Sequence, residues 1–329
     1  MRWTWIRVLS AACLLALTGC GALPAFGALG APSATPTATV TPQPTSTPSP
    51  TLTPTPSETP TPEPTRTVMQ GLLERDPALQ EVLCQLVALP TLERGTVLAP
   101  ILLYHHVGEA ALESGGDSTS RYNVTEANFE AQLMLLNELG YHSVGVSRIV
   151  AALARKEPLP ERPIAISFDD GWVDQYQSIF PLLRRHALIG TFYIPSTYPG
   201  GDQTVSWEQL AEMAAAGMEI GSHSQTHADL RSVSEEVAWR EIRMSKVDLE
   251  KKLGVPIDTF AYPFGAYTPD LGTLVSEAAY LGGAGLGPSP VQGLGSLFYM
   301  SRIEIRGDES LSDFLRLLPW HGEGTPFCG

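Results

Sequence analysis

Basic residues are scarce in this sequence. Its 21 Lys and Arg stand against 35 Asp and Glu, for a formal net charge of −14. No basic patch forms, which argues against nucleic acid and anionic surfaces as partners. The acidic residues are spread out rather than gathered in runs, so they speak to solubility and not to an activity. Charged residues make up only 17% of the chain and apolar ones 43%, the balance of a globular protein with a real core. Cysteine is rare too, with four among 329 residues. The apolar run near the N-terminus, Ile6 to Leu17, is too short for a comfortable membrane span.

That run has the form of a targeting segment. Arg2 and Arg7 supply a positive start, and it ends in Leu17-Thr18-Gly19-Cys20. The ending looks like a bacterial lipobox. Residues 1–20 then form a signal peptide, and lipidated Cys20 anchors the mature protein to the membrane. The expected location is extracytoplasmic, as a bacterial lipoprotein or a secreted protein. One acyl chain anchors weakly, so the multi-acyl form is implied. Cys13 and Cys20 belong to this segment. Cys84 and Cys328 remain, an even pair in an oxidising compartment, and are expected to form a disulfide.

Residues 21–67 follow as a linker. Its stretch 31–67 is almost wholly Pro, Thr, Ser and Ala and holds eleven of the 28 prolines, a composition that cannot bury a core. It reads as an extended stalk. Residues 68–96 carry Leu72, Leu73, Leu79, Val82, Leu83, Leu86 and Val87 at helical spacing, a short helical lead-in. A domain is expected over 97–320, with a tail at 321–329.

Within that domain, strand and helix patterns alternate. Strands are expected at Val97–Tyr104, Tyr141–Val146, through Ile166, Thr191–Ile194, Met218–Ile220, Thr259–Tyr262, and near 281–285 and 298–305. Helices are expected from Thr125 to Gly140, Ser147–Ala154, through Tyr176–Leu183, from Ser206, at Ser232–Leu253, 268–280 and Ser310–Leu318. Residues 108–121 read as a surface loop. Alternation of this kind predicts an α/β fold with a parallel sheet covered by helices. Polar motifs then fall at the C-terminal strand ends, where the loops of parallel barrels converge on one site.

Two motifs carry the chemistry. Ile166-Ser167-Phe168-Asp169-Asp170-Gly171 puts adjacent carboxylates at the end of an apolar strand, with Gly171 allowing a sharp turn. A core has no use for two such groups side by side. About fifty residues on, His223-Ser224-Gln225-Thr226-His227 places two imidazoles four residues apart, on a turn of helix or in a tight loop. Two His and one Asp leave a fourth position open, the arrangement of a hydrolytic zinc site. Such a metal makes water acidic and polarises a carbonyl. The second Asp has a separate task, taking the water's proton.

Together with Phe260-Ala261-Tyr262-Pro263-Phe264-Gly265, these motifs resemble those of NodB-type polysaccharide deacetylases, carbohydrate esterase family four. Pro100-Ile101-Leu102-Leu103-Tyr104-His105-His106 and Phe129…Gly140-Tyr141 resemble the subgroup of exported poly-N-acetylglucosamine deacetylases. The resemblance spans about residues 97–318. It implies a distorted, incomplete (β/α) barrel and a divalent metal, zinc first, held by Asp170, His223 and His227. It implies Asp169 as general base, His105 as general acid (with His106 and His321 as alternatives) and the Phe264 N–H as oxyanion donor. The implied substrate is an N-acetylated glycan at the cell envelope; an O-acetyl esterase and an inactive glycan-binding lipoprotein are the alternatives. Two positions depart from the family. Ser167 stands where many members have Thr. The Arg that braces the base in the third motif is missing, with Ala261 or Tyr262 near its place, and Arg302 is the candidate to supply that charge from elsewhere. Trp172, Tyr104, Tyr262 and Trp207 are candidates for sugar stacking.

Overall fold

The computed structural model describes residues 67–85, 88–108 and 120–320. Residues 1–20, the Pro/Thr-rich stretch to residue 66, Leu86, Val87, 109–119 and the tail with His321 and Cys328 lie outside them. No helix among the described residues is long and apolar enough to cross a membrane.

Eight strands make one parallel sheet: β1 Ile101–Tyr104, β2 His142–Ser143, β3 Pro163–Phe168, β4 Thr191–Ile194, β5 Glu219–Ser222, β6 Thr259–Ala261, β7 Gly282–Ala284 and β8 Ile303–Glu304. Their order is β7-β6-β5-β4-β3-β1-β8, with β2 paired to the start of β3. The sheet curls into an incomplete barrel. Between its edges runs the irregular stretch Met300–Arg302, bonded to Gly283, Gly285 and Gly287 beside β7 before entering β8 beside β1. The expected fold class is therefore the one observed.

Strand alternation sorts the side chains into two layers. Leu102, Tyr104, Ile164, Ile166, Phe168, Phe192, Ile194 and Phe260 face outward under the helices. Ile101, Ala165, Tyr193, Ala261, Ala284 and Met300 share the interior with helix residues Val146, Ile149, Val150 and Leu153. Those belong to the fourth helix of the series α1 Val68–Arg75, α2 Leu79–Leu83, α3 Glu126–Glu138, α4 Val146–Arg155, α5 Phe180–Arg185, α6 Trp207–Ala215, α7 Glu235–Leu253, α8 Pro269–Glu277 and α9 Leu311–Arg316. The N-terminus of α4 bonds to Thr191 and Glu219, the first residues of β4 and β5. It covers the N-terminal mouth and leaves the opposite end open.

Caps fix the helices where the sequence places them. Ser206 and Gln209 make a reciprocal capping box at α6, Thr125 Oγ1 accepts the Asn128 N–H at α3, and Gly254 ends α7 at φ 69°. The expected strand Val97–Tyr104 is two strands. Pro100, without an N–H, breaks it; Thr96–Leu98 pairs antiparallel with Val291–Gly293 away from the sheet. The expected strand Tyr141–Val146 shortens to β2. The helix expected through Tyr176–Leu183 begins as a π-turn, Gln175–Ile179.

The lead-in helices pack onto the barrel. Met69, Leu72, Leu79, Val82 and Leu83 are buried in the same core as α3 and α9, and Asp76 Oδ2 accepts the Ser312 N–H at 2.7 Å. Cys84, just past α2, is disulfide-bonded; its expected partner Cys328 lies outside the described residues. Leu83→Ala is expected to lower the unfolding free energy by about 2–5 kcal/mol, measured by urea denaturation. A change below about 0.5 kcal/mol, the level of a surface substitution, would show that the lead-in is not part of the core.

Candidate active site

The open end of the barrel holds a cleft of about 400 Å³, lined among others by His105, Tyr122, Asp169, Asp170, Trp172, His223, His227, Phe264 and Arg302. The residues expected to hold the metal and to carry the reaction, His105, Asp169, Asp170, His223, His227 and Phe264, all lie here. The strand period explains the first of them. His105 and Asp169 continue the odd positions of β1 and β3, the parity of the interior residues Ile101 and Ala165.

After β3 the chain turns sharply. Asp170 has φ 76° and Gly171 φ 70°. A Cβ on Gly171 would also meet Ile194 at 3.1 Å, so space and conformation both favour glycine there. The turn sends the two carboxylates apart. Asp170 Oδ1 lies 3.2 Å from His227 Nε2 and 3.5 Å from His223 Nε2, and Oδ2 accepts the Trp172 Nε1–H at 3.1 Å. Donor atoms of Asp170, His223 and His227 all lie within 4.8 Å of one another.

The histidine motif is a loop after β5, which decides between the two forms the spacing allowed. Ser224 and His227 both take left-handed φ, 63° and 61°. Such backbone costs on the order of 1 kcal/mol or more per residue and needs external support. Glu241 of α7 provides it: its carboxylate accepts the Gln225 N–H at 2.9 Å, the Thr226 N–H at 2.8 Å and the Thr226 hydroxyl at 2.8 Å. His223 Nδ1 donates to the Ala261 carbonyl at 2.8 Å, because a carbonyl can only accept. Its Nε2 is thereby left with a lone pair toward Asp170. A fixed tautomer of this kind is what metal-binding imidazoles need, and the three donors fit a zinc-like ion with an open position.

Asp169 is almost wholly buried, at 4% exposure. Arg302 meets it with two parallel bonds, 2.6 Å to Oδ1 and 2.8 Å to Oδ2. Arg302 itself is 1% exposed; it donates also to the Gly285 carbonyl, and its guanidinium lies over the Tyr193 ring at 5.2 Å. That ring fits only because residue 221 is glycine: a Cβ there would come within 2.5 Å of it. Arg302 thus gives Asp169 the positive charge that the third motif does not supply.

The charges follow from this packing. Burial pushes the Asp169 carboxyl up, but Arg302 and then His223 outweigh it and hold it below the usual carboxylate range. For Asp170, too, burial is opposed, and the imidazoles of His223 and His227 beside it bring it well below. Burial lowers His105, against the pull of both carboxylates. His223 is raised, since Asp169 and Asp170 overcome the effect of its burial.

Phe264 sits in a 3-10 turn at φ 60°; the residue is 64% exposed, and its ring lies edge-on to His227 at 4.6 Å between centroids. Its N–H donates to no described residue, as an oxyanion donor requires. Of the proposed stacking residues, only Trp172 lines the cleft. Tyr104 and Tyr262 are core side chains whose hydroxyls bond Gln132 and the Phe298 carbonyl, and Trp207 of α6 lies under Lys252 of α7. Even positions of β1 and continued β6 face the helices, which excludes both tyrosines. Tyr122, beside His105 at 4.9 Å, escaped sequence reasoning. So did Glu241, although a Glu amid the buried stripe of Ala238, Ile242, Ser245 and Leu249 was a visible signal.

Residues 156–282 match the family model described as polysaccharide deacetylase. The chain thus carries a NodB-type polysaccharide deacetylase domain over these residues. The Bacillus subtilis protein YxkH is 25% identical to it over 215 residues, 65% of this chain and 74% of that one. The Staphylococcus aureus poly-beta-1,6-N-acetyl-D-glucosamine N-deacetylase is 23% identical over 209 residues, 59% of this chain and 72% of that one. Streptococcus pyogenes deacetylase PplD, solved in complex with acetate, superposes with a TM-score of 0.62 at 24% identity, covering 68% of this chain and 98% of that one. That likeness shows the shared fold of the deacetylase domain.

In this protein, Arg302→Met is expected to lower the unfolding free energy by about 3–5 kcal/mol at neutral pH by leaving Asp169 buried and unpaired. The sign with pH follows from the lowered Asp169. The pair stabilises the fold above the unfolded carboxylate's pKa, and that contribution disappears as pH falls through the folded-state value. Urea unfolding at neutral and acid pH checks this; equal losses at both would mean that Arg302 acts through packing alone.

Proposed function

We propose that this protein is a metal-dependent hydrolase that removes N-acetyl groups from an N-acetylhexosamine polysaccharide at the cell envelope. The observation that carries this reading is the juxtaposition of two differently used carboxylates. Asp170 turns to two imidazoles, while Asp169 is held ionised by Arg302 beside them. A divalent cation on Asp170, His223 and His227, zinc first, would supply Lewis acidity toward water and the acetyl carbonyl.

The chain's own groups do the rest. Asp169 takes the proton of the attacking water; a carboxylate has lone pairs beyond the two that Arg302 occupies. The Phe264 N–H donates to the acetyl oxygen as negative charge gathers there. His105 delivers a proton to the nitrogen as the C–N bond breaks, so that acetate and a free amine leave. The S. aureus relative supports a poly-N-acetylglucosamine-like substrate by its name. Export and anchoring through lipidated Cys20 rest on the sequence motif; Cys20→Ala is expected to abolish labelling by a radioactive fatty acid, and persistent labelling would exclude that site.

Asp170→Ala is expected to lose zinc affinity, measured by calorimetry, together with acetate release from N-acetylglucosamine oligomers. Asp169→Asn should keep zinc and lose about 10²–10⁴-fold in turnover. Chelation should silence the wild type, and zinc should restore it. Full activity in either variant, or a preference for acetylated xylan over the oligomers, would overturn the assignment.

A further inference from the structure

Four histidines line the cleft, and the reaction above uses three of them. His106 is left over, yet its surroundings are built. Its Nδ1 lies 3.3 Å from Asp174 Oδ2, and the same oxygen accepts the Val107 N–H at 2.8 Å. Asp174 is buried, and no Lys or Arg among the described residues pairs with it. A carboxylate oxygen that already takes the Val107 N–H is an acceptor, so Nδ1 carries the hydrogen, and in that tautomer Nε2 is the acceptor. No described residue bonds that Nε2. One face of the ring packs on Trp172, 5.0 Å between centroids at 32°, and the same indole donates to Asp170. The side chain is 24% exposed, at the cleft.

An imidazole fixed in one tautomer, with its acceptor nitrogen open to a sugar-sized cleft, is suited to a hydroxyl group. We propose that His106 Nε2 accepts a hydrogen bond from a hydroxyl of the bound N-acetylhexosamine, with Asp174 as the positioning residue that holds the ring. The proposal rests on the glycan reading given above. Because Trp172 joins the His106 ring to Asp170, a sugar bonded there is registered against the donor set, and its acetamide with it.

The test measures binding of N-acetylglucosamine oligomers to the zinc-loaded protein by calorimetry, in an Asp169→Asn background that prevents turnover. His106→Ala is expected to weaken binding about tenfold, the scale of one well-made neutral hydrogen bond. Asp174→Asn keeps an oxygen for the Val107 N–H and removes only the charge that fixes the ring. It should weaken binding by less, and the double variant should be no worse than His106→Ala alone. Unchanged affinity in His106→Ala, or losses that add in the double variant, would overturn the proposal. If Asp174→Asn does not fold, His106→Ala alone decides. Acetate release by the wild type separates the two readings. Binding that depends on His106 without acetate release removes the deacetylase reading and keeps this one. Acetate release with His106→Ala affinity intact does the reverse. Failure of the oligomers to bind at all overturns both.

Discussion

A buried carboxylate that must stay charged is the demand around which this barrel is built. Asp169 lies in the interior, where an unpaired anion would cost several kcal/mol or take up a proton. Arg302 answers with a two-pronged bond, and the rest of the closure answers to Arg302. The guanidinium needs a carbonyl, given by Gly285, and a flat surface, given by Tyr193. Tyr193 needs the missing side chain of Gly221, and the small Ala165, Ala261 and Ala284 share its layer. The stretch that carries Arg302 is also the irregular seam between β7 and β8. Pairing Asp169 and joining the barrel's edges are the same structural event.

The remaining site depends on backbone that is held against its preference. Of eight non-glycine residues with left-handed φ among those described, four are Asp170, Ser224, His227 and Phe264. Strain gathered in one cleft implies outside support. Glu241 clamps the histidine loop, Trp172 braces the far oxygen of Asp170, and the π-turn after the Asp pair sends Gln175 back to bond the Asp169 carbonyl. Its neighbour Asp174 holds the His106–Val107 backbone. A π-turn adds a residue to the helical turn, and here it aims two successive polar side chains at two different strand ends.

Much of this was legible before any coordinates. The helix caps at Thr125, Ser206 and Gly254 are local chemistry, and they form as their residues dictate. The convergence of Tyr104-His105, Asp169-Asp170, His223-His227 and Pro263-Phe264-Gly265 follows from a parallel sheet, in which all strands point one way. Less visible were the break at Pro100, which turned one apolar run into two strands of different sheets, and the burial of Tyr104 and Tyr262. Both tyrosines sit beside motif residues in sequence but on the opposite face of their strands. Aromatic character alone says nothing of facing; parity does.

The sequence by itself determined the donor types, their spacing and the strand-end positions that make a metal-and-base site possible. These are properties of short segments, set by residue identity and by periods of 2 and 3.6. Only the tertiary structure decided which groups lie against which. It turned Asp170 toward the imidazoles and Asp169 toward Arg302, 133 residues away. It brought Glu241 under the histidine loop and chose the loop over a helical turn. Those pairings hinge on barrel closure, which brings the last strand back against the first, and no local pattern encodes the distance between residues so far apart in the chain.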